Sequence, residues 1–482
     1  MTVTKSDLHT AMKDQTTTSD WDVLVSYRTD ALNDFLSNAW KDRIETKEIE
    51  FTVTQTRGRI TYYTDFVVDI GGPILQFSNN QGAWATLSLD VSGTQTFRED
   101  PDNPIVIPAG YYQLMCTLPL TSVDGEGEDQ RPADGSNIYL FDKDDASYYV
   151  TFDFHNEDAN WAVKEVKHLN DSTLDLITEA LDDIANHFKE IDSKFLLSIC
   201  LAEVANSQHA DVSGLLTPES FSLACQDDVL CVFIHTKEGR EGKKDPRFNL
   251  RSGYDYSPIP DGYNASVIIS RDIVIDKYLL PEIRNNKDAL LRADDGVMEK
   301  GGVGDVGEKT GALLEFRYAD DLITNPEWDN YGNLQLDFGG MSIDLDKQPL
   351  ILEIQDDSNL QPKYTWKWEC KGTIHYTEWS NGYPIDFDPD YNVSIAPNSS
   401  DLTSLHDDKI SWNISFTDSN QPDGTKGDQN IGVNVTLYKF DLNLPDLDYF
   451  RTTNIFAPGR HMIDATDINF PYDLMILGNI AK

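Results

Sequence analysis

Gly302-Val-Gly304-Asp-Val-Gly307 has the spacing of a phosphate-cradling glycine loop, and Gly307-Glu308-Lys309-Thr310 ends like a second kind. Either chemistry needs a strand before the glycines and a helix after them, so that helix N-terminal amides aim at the phosphates. The flanking residues supply neither, and Glu308 stands where the second motif needs glycine. Residues 285–311 are therefore expected to form a charged, Gly-rich mobile loop without nucleotide function. Asp386-Phe-Asp388-Pro-Asp390 opens like a calcium loop. Tyr391 then occupies the sixth position, where the turn needs glycine, and Pro397 the twelfth, where a bidentate glutamate belongs. None of the nine histidines forms HExxH or another pair at metal spacing. His155, His235 and His375 read as strand residues, in the core or on a wet face. No GxSxG elbow supports a serine nucleophile. With 82 acidic side chains, carboxylate pairs near any cleft are expected by number alone. No catalytic residue, metal ligand or cofactor is assigned.

The 482 residues carry 39 basic and 82 acidic side chains, a formal net charge of −43. Such a field repels nucleic acid, which binds through clustered Lys and Arg, and it opposes anionic membranes for the same reason. One basic island stands out. Lys237, Arg240, Lys243, Lys244 and Arg247 follow an apolar strand among Gly and Pro, as in a hairpin tip. They form either a solvated loop or a docking patch for an acidic partner or a phospholipid head group.

The most distinctive stretch is Tyr364-Thr-Trp366-Lys-Trp368-Glu-Cys370-Lys. Strand alternation puts Tyr364, Trp366, Trp368 and Cys370 on one face and Thr365, Lys367, Glu369 and Lys371 on the other. Ile410, Trp412, Ile414 and Phe416 build a comparable face. These aromatics, with Trp84, either pack a core or line an elongated apolar groove for a ligand.

Strands must position most of these residues. Runs rich in β-branched and aromatic residues cover 51–56, 60–70, 74–77, 85–91 and 229–236, with more between 312 and 440. Turn-rich spacing points to antiparallel sheet, and the fold class is α+β, mainly antiparallel β. Helices are few. The clearest spans about 172–195, where Leu174, Ile177, Leu181, Ile184 and Phe188 step by three and four into one apolar stripe. Others are expected at 30–40 and from Ser270, the latter stopped by Pro281. Residues 1–18 read as a flexible N-terminus, and a seam near 207–214 divides 19–206 from 207–482. Cys116, Cys200, Cys225, Cys231 and Cys370 form no CxxC and read as reduced thiols. The first residues lack the basic and apolar regions of a secretory signal, and no run reaches the length of a membrane span. The expected site of synthesis is the cytoplasm, with release by a route other than a classical signal left open.

Three stretches together carry a resemblance. They are Trp21-Asp-Val-Leu24-Val-Ser-Tyr27 leading into Leu32-Asn-Asp-Phe35-Leu36, then Ile268 through Pro281, and finally Ile455-Phe456-Ala-Pro458-Gly459 with Pro471-Tyr-Asp473-Leu474 through Asn479. The chain resembles the accessory proteins encoded beside botulinum-type neurotoxins, the OrfX group and its forty-seven-kilodalton relative, which are similar in fold to the TULIP lipid-binding proteins. The resemblance runs from about Trp21 to Asn479. It implies long curved sheets wrapped around long helices, in a first TULIP-like half over 19–206 and a second over 207–482. It also implies non-enzymatic binding of a lipid or other hydrophobic molecule, with no catalytic residues to transfer. Two other functions stay open: a toxin-cluster component working through a protein partner from the same gene cluster, and an enzyme of specialised metabolism.

Overall fold

The structure is a computed structural model. It describes residues 3–279 except 14, 42–47, 78–81, 131, 133–136, 170, 191–192, 207–214, 238 and 251–256, and residues 463–480 except 470–471. Between 292 and 456 it describes the backbone of strands alone. The chain divides into two compact units. The first comprises Met1–Ser270, Tyr449–Thr466 and Met475–Lys482, and the second Arg271–Asp448 and Asp467–Leu474. The division expected at 206/207 falls inside the first unit, because strands on both sides of it belong there.

The segment Met1–Ser270 of the first unit contributes thirteen described strands: β1 (Val23–Arg28), β2 (Glu48–Arg57), β3 (Ile60–Ile70), β4 (Ile74–Phe77), β5 (Trp84–Phe97), β6 (Ile105–Val123), β7 (Ile138–Leu140), β8 (Ser147–Phe152), β9 (Asn160–Glu165), β10 (Ala202–Ala205), β11 (Pro218–Gln226), β12 (Val229–Thr236) and β13 (Ala265–Ile269). Its helices are α1 (Lys5–Met12), α2 (Thr29–Lys41), α3 (Asp171–Glu179), α4 (Leu181–Lys189) and α5 (Ser193–Ser198).

A seven-stranded sheet runs Ile463–Asn469, Leu474–Ile480, β13, β1, β12, β11, β7. The three stretches that carry the family resemblance thus supply three neighbouring strands. β1, β12 and β13 are near-continuous apolar runs, as strands buried on both faces must be, and they are buried throughout but for Arg28 and His235. One face packs on α1. Leu8 and Met12, four residues apart on that helix, join Trp21, Leu24, Phe233 and Ile268 in the core. Residues 1–18 are therefore no flexible tail throughout. Thr4 and Asp7 close a reciprocal capping box that starts α1. α2 follows β1 directly and buries Leu32, Leu36 and Trp40 at spacings of four. The Trp40 indole N–H donates to Ile70 O at 3.1 Å.

A nine-stranded sheet runs β2, β3, β5, β6, β8, β10, Ile455–Phe456, with β4 beside β5 and β9 beside β6. Alternation along β5 buries Ala85, Leu87, Leu89 and Val91 and leaves Thr86, Ser88 and Asp90 half-buried. The register shifts at Gly93, whose φ is +142° and where a Cβ would lie 2.2 Å from Val67 O, so only glycine fits this bulge. The sheet curls. β2 and β9 are separated by β3, β5 and β6, yet both touch α4. The single long helix expected over 172–195 is three short ones. At Ala180 (φ −90°, ψ 2°) the N–H is shared between Leu176 O and Ile177 O, which tightens the turn and resets the stripe. The buried positions are Thr173, Leu176, Ile177, Ala180, Ile184 and Phe188, while Leu174 and Leu181 are half-buried. Long helices wrapped by sheets are thus not what the described residues form. A half-barrel of antiparallel strands with short helices takes their place.

The second unit is antiparallel throughout its described pairings, in sheets of eight, four and two strands. Residues 303–308, expected in a mobile loop, form the strand Val303–Glu308 paired with Leu313–Tyr318. The glycine spacing therefore lies on a strand and not before a helix. The rest of 285–311, apart from Arg292–Ala293, lies outside the described residues. The segment expected as a helix from Ser270 is a π-helix, Asp272–Leu279.

Candidate functional site

Six strands of the eight-stranded sheet lie side by side in the order Asn430–Thr436, Lys409–Thr417, Asp390–Ile395, Lys363–Thr373, Leu350–Gln355, Leu313–Tyr318. Residues directly opposite in an antiparallel pair share a face. Trp412 pairs with Val433 and Ile414 with Ile431. Ile414 pairs with Val393, and Phe416 with Tyr391. Val393 pairs with Cys370 and Ile395 with Trp368. Trp366 pairs with Leu352 and Tyr364 with Ile354, and Leu352 in turn with Leu314. One face is therefore apolar at every one of these positions. The opposite face holds Asn413, Ser415, Asn392, Ser394, Glu369, Lys371, Thr365 and Lys367, then Glu353 and Glu315 together with the apolar Ile351 and Leu313.

The register thus brings Tyr364, Trp366, Trp368, Trp412 and Phe416 onto one face of one sheet. Trp84 is not among them. It begins β5 in the first unit and alternates with Thr86 and Ser88, on the face opposite the buried Leu87 and Leu89. The signal that unites the other five, cross-strand pairing over three strands, is not local in sequence.

The basic island is no hairpin tip. Lys237, Arg240, Lys243, Lys244 and Arg247 are exposed on a strap that leaves β12 and folds back over Ser19–Asp22. The Trp21 indole N–H donates to Lys243 O at 3.0 Å, and Lys243 N–H donates to Ser19 O at 3.2 Å. Arg247 N–H donates to Ser19 Oγ at 3.1 Å, and Lys243 Nζ lies 3.5 Å from Asp20. The strap's hub is the Asp22 carboxylate, 2% exposed. It accepts from Thr236 N–H at 2.8 Å and from Arg240 N–H at 3.2 Å. A Cβ on Gly239 would sit 1.9 Å from Asp22 Oδ2, and one on Gly242 2.1 Å from Trp21. Two glycines are what let the strap approach so closely.

Burial raises the Asp22 carboxyl above its usual value of 3.8, and the donated hydrogen bonds offset this only in part. A group raised in the folded state contributes stability that is full below the unfolded value and is lost as pH rises through the folded one. Asp22→Asn is expected to remove that acid-side slope. Urea midpoints measured against pH for parent and variant test it, and parallel curves would assign the slope to other carboxyls. At neutral pH, Asp22→Ala should cost about 2 kcal/mol, since two backbone donors lose their acceptor.

Among the described residues, no group of three His, Cys, Asp or Glu could hold a metal ion. His155 is exposed in the turn after β8 rather than in a strand, and His375 lies outside the described residues. His235, in β12, has Ser220 Oγ at 3.4 Å and Glu219 at 3.8 Å. Ser220 is buried, so a substrate carbonyl could not reach it. Cys116, Cys200, Cys225 and Cys231 are buried thiols outside any disulfide. Burial pushes the Cys231 thiol up to about 12, away from nucleophilic use.

No family model matches the chain, and no curated protein matches its sequence. In structure it is similar to P47 of Clostridium botulinum. P47 from C. botulinum A2 shares 10% identity over 98% of this chain and 100% of that one, with a TM-score of 0.47. P47 of C. botulinum E1 shares 13% over 96% and 100%, with a TM-score of 0.45. A lipopolysaccharide binding protein shares 11% over 96% and 99%, with a TM-score of 0.28. P47 is a toxin-cluster protein of the group that the three sequence stretches resemble. No helix among the described residues is long and apolar enough to cross a membrane.

Proposed function

We propose that the chain is a non-enzymatic binder of a lipid or other hydrophobic molecule, received on the apolar face of the eight-stranded sheet. One observation carries the reading: the register pairs from Leu314–Leu352 to Ile414–Ile431 gather apolar residues on one face, while the other is mostly polar, with Leu313 and Ile351 as its apolar positions on the two strands at one side. A sheet with one such face has to cover it, and an acyl chain does so without needing a hydrogen-bond partner. Each Å² of apolar surface removed from water contributes about 25 cal/mol before ordering costs. The aromatic positions among these pairs, Tyr364, Trp366, Trp368, Tyr391, Trp412 and Phe416, favour a ligand with a long apolar body, since broad rings wall a channel with little loss of side-chain entropy. No covalent step is involved.

Native mass spectrometry of the purified full chain, followed by solvent extraction, tests the reading. The expected result is a bound mass that organic solvent removes and that behaves as a lipid on chromatography. A mass equal to the polypeptide alone, together with no uptake of acyl-chain fluorescent probes, would sink it.

A further inference from the structure

The β2–β3 hairpin of the first unit ends in an exposed tip that the proposed ligand face does not explain. Its register runs without a break from Glu48 opposite Asp69 to Arg57 opposite Ile60, and Gly58 (φ +67°) and Arg59 make the turn. Arg57 and Arg59 are exposed, Ile60 is 58% exposed, and Tyr62 and Tyr63 are 36% and 39% exposed. Two arginines and a large aliphatic side chain thus make one turn, and Tyr62 and Tyr63 follow it along β3, one on each face of the hairpin. Nothing in the packing of the sheet calls for this combination, because the hairpin's buried contacts end further back, at Val53 and Thr64.

The hairpin also projects. β5 pairs with β3 only as far as Thr64, opposite Phe97, and Arg98 N–H makes a last bond to Tyr63 O at 3.0 Å. The tip at Ile60 lies three residues further on, about 10 Å at strand rise. The acidic turn beside the hairpin, with Glu99, Asp100 and Asp102, folds back on itself through Asp100 N–H to Phe97 O at 2.9 Å. Arg98 pairs with Asp65 at 2.7 Å and lies over the Tyr63 ring at 5.1 Å, so that carboxylate is neutralised. Glu179, at the end of α3, accepts from the Gln55 amide at 2.9 Å. Fields decay over about 8 Å at physiological salt. Arg57 and Arg59 are the charged side chains of the turn itself, in a chain of net charge −43.

We propose that this hairpin tip is a docking prong for an anionic lipid bilayer. Ile60 enters the interface, the tyrosine rings sit at head-group level, and Arg57 and Arg59 meet the lipid phosphates and carboxylates. The chemistry favours a bilayer over an acidic protein surface. A protein partner is met by cations and hydrogen-bonding groups, whereas an exposed aliphatic flanked by tyrosines is what an interface of apolar and wet layers accepts. The inference uses the first unit alone and does not depend on the ligand face of the second.

The test is co-flotation of the full chain with phosphatidylcholine vesicles containing one-third phosphatidylserine, at low and physiological salt. Binding is expected, weakening as salt rises, and absent on pure phosphatidylcholine. Arg57→Glu with Arg59→Glu should weaken it about tenfold or more, and Ile60→Ser should weaken it severalfold without a change in salt dependence. An environment-sensitive dye on Ile60→Cys should shift to the blue on vesicles, while the same dye on Val166→Cys should not. The labelled arm reads docking directly, so the proposal stays open to refutation if the charge variant folds poorly. Absent vesicle binding, binding indifferent to the tip variants, or binding lost only on Lys243→Glu with Lys244→Glu would each overturn it. Vesicle binding can fail while co-purified lipid persists, and the reverse, so the two readings fail separately.

Discussion

Trp366→Ala with Trp368→Ala is expected to abolish the proposed retention of a hydrophobic molecule and leave the fold standing. The two residues are successive on the apolar face, opposite Leu352 and Ile395. Each indole offers roughly 200 Å², of which a ligand lying along the face covers about half. At about 25 cal/mol per Å², the pair contributes about 4–5 kcal/mol to binding, near a thousandfold in affinity. Lys367→Ala, at the position between them and on the polar face, should leave retention unchanged. Solvent extraction and acyl-probe titration of the three proteins measure this. The opposing result is a core that is already full: Trp368→Ala alone would then cost roughly 3–5 kcal/mol of stability, and the parent would carry no lipid. That pair of outcomes would move the assignment to a protein that works through partner contacts.

Much of the fold was legible because strand signals are local. The alternation of Ala85, Leu87, Leu89 and Val91, and the unbroken apolar run of β12, announce a half-buried and a fully buried strand, and the structure has both. The helix carrying Leu32, Leu36 and Trp40 was legible for the same reason. What failed was non-local. The expected tail before Ser19 contains α1, a helix whose stability comes from packing Leu8 and Met12 onto a sheet assembled from residues hundreds of positions away. The basic island looked like a hairpin tip because charge and glycine mark exposed turns. Its glycines instead serve close approach to Trp21 and Asp22, a demand that exists only once β1 and β12 are paired. For the ligand face, each strand's alternation was readable. That five of six nominated aromatics fall on one face, and that Trp84 does not, depends on register.

Ile184→Asp is expected to destabilise the first unit by on the order of 3–5 kcal/mol, and Leu181→Asp by about 1. Spacing alone gives the two residues equal standing, since both lie on the stripe through Ile177 and Phe188. The turn at Ala180 separates them. Ile184 N–H bonds to Ala180 O at 3.0 Å, and from there the buried positions run by fours, Ala180, Ile184, Phe188. Phe188 sits against Trp161 and Phe154, with ring centroids 4.9 and 5.3 Å away, so this line is the one that fills the curl of the sheet. A carboxylate at Ile184, which is 1% exposed, enters that apolar space without a partner, whereas at Leu181 it can turn toward water beside Asp182. Denaturant unfolding followed by fluorescence of the Trp161 neighbourhood compares the two. Equal losses would mean that α3 and α4 pack as one straight helix, and a negligible loss at Ile184 would remove α4 from the core of the half-barrel.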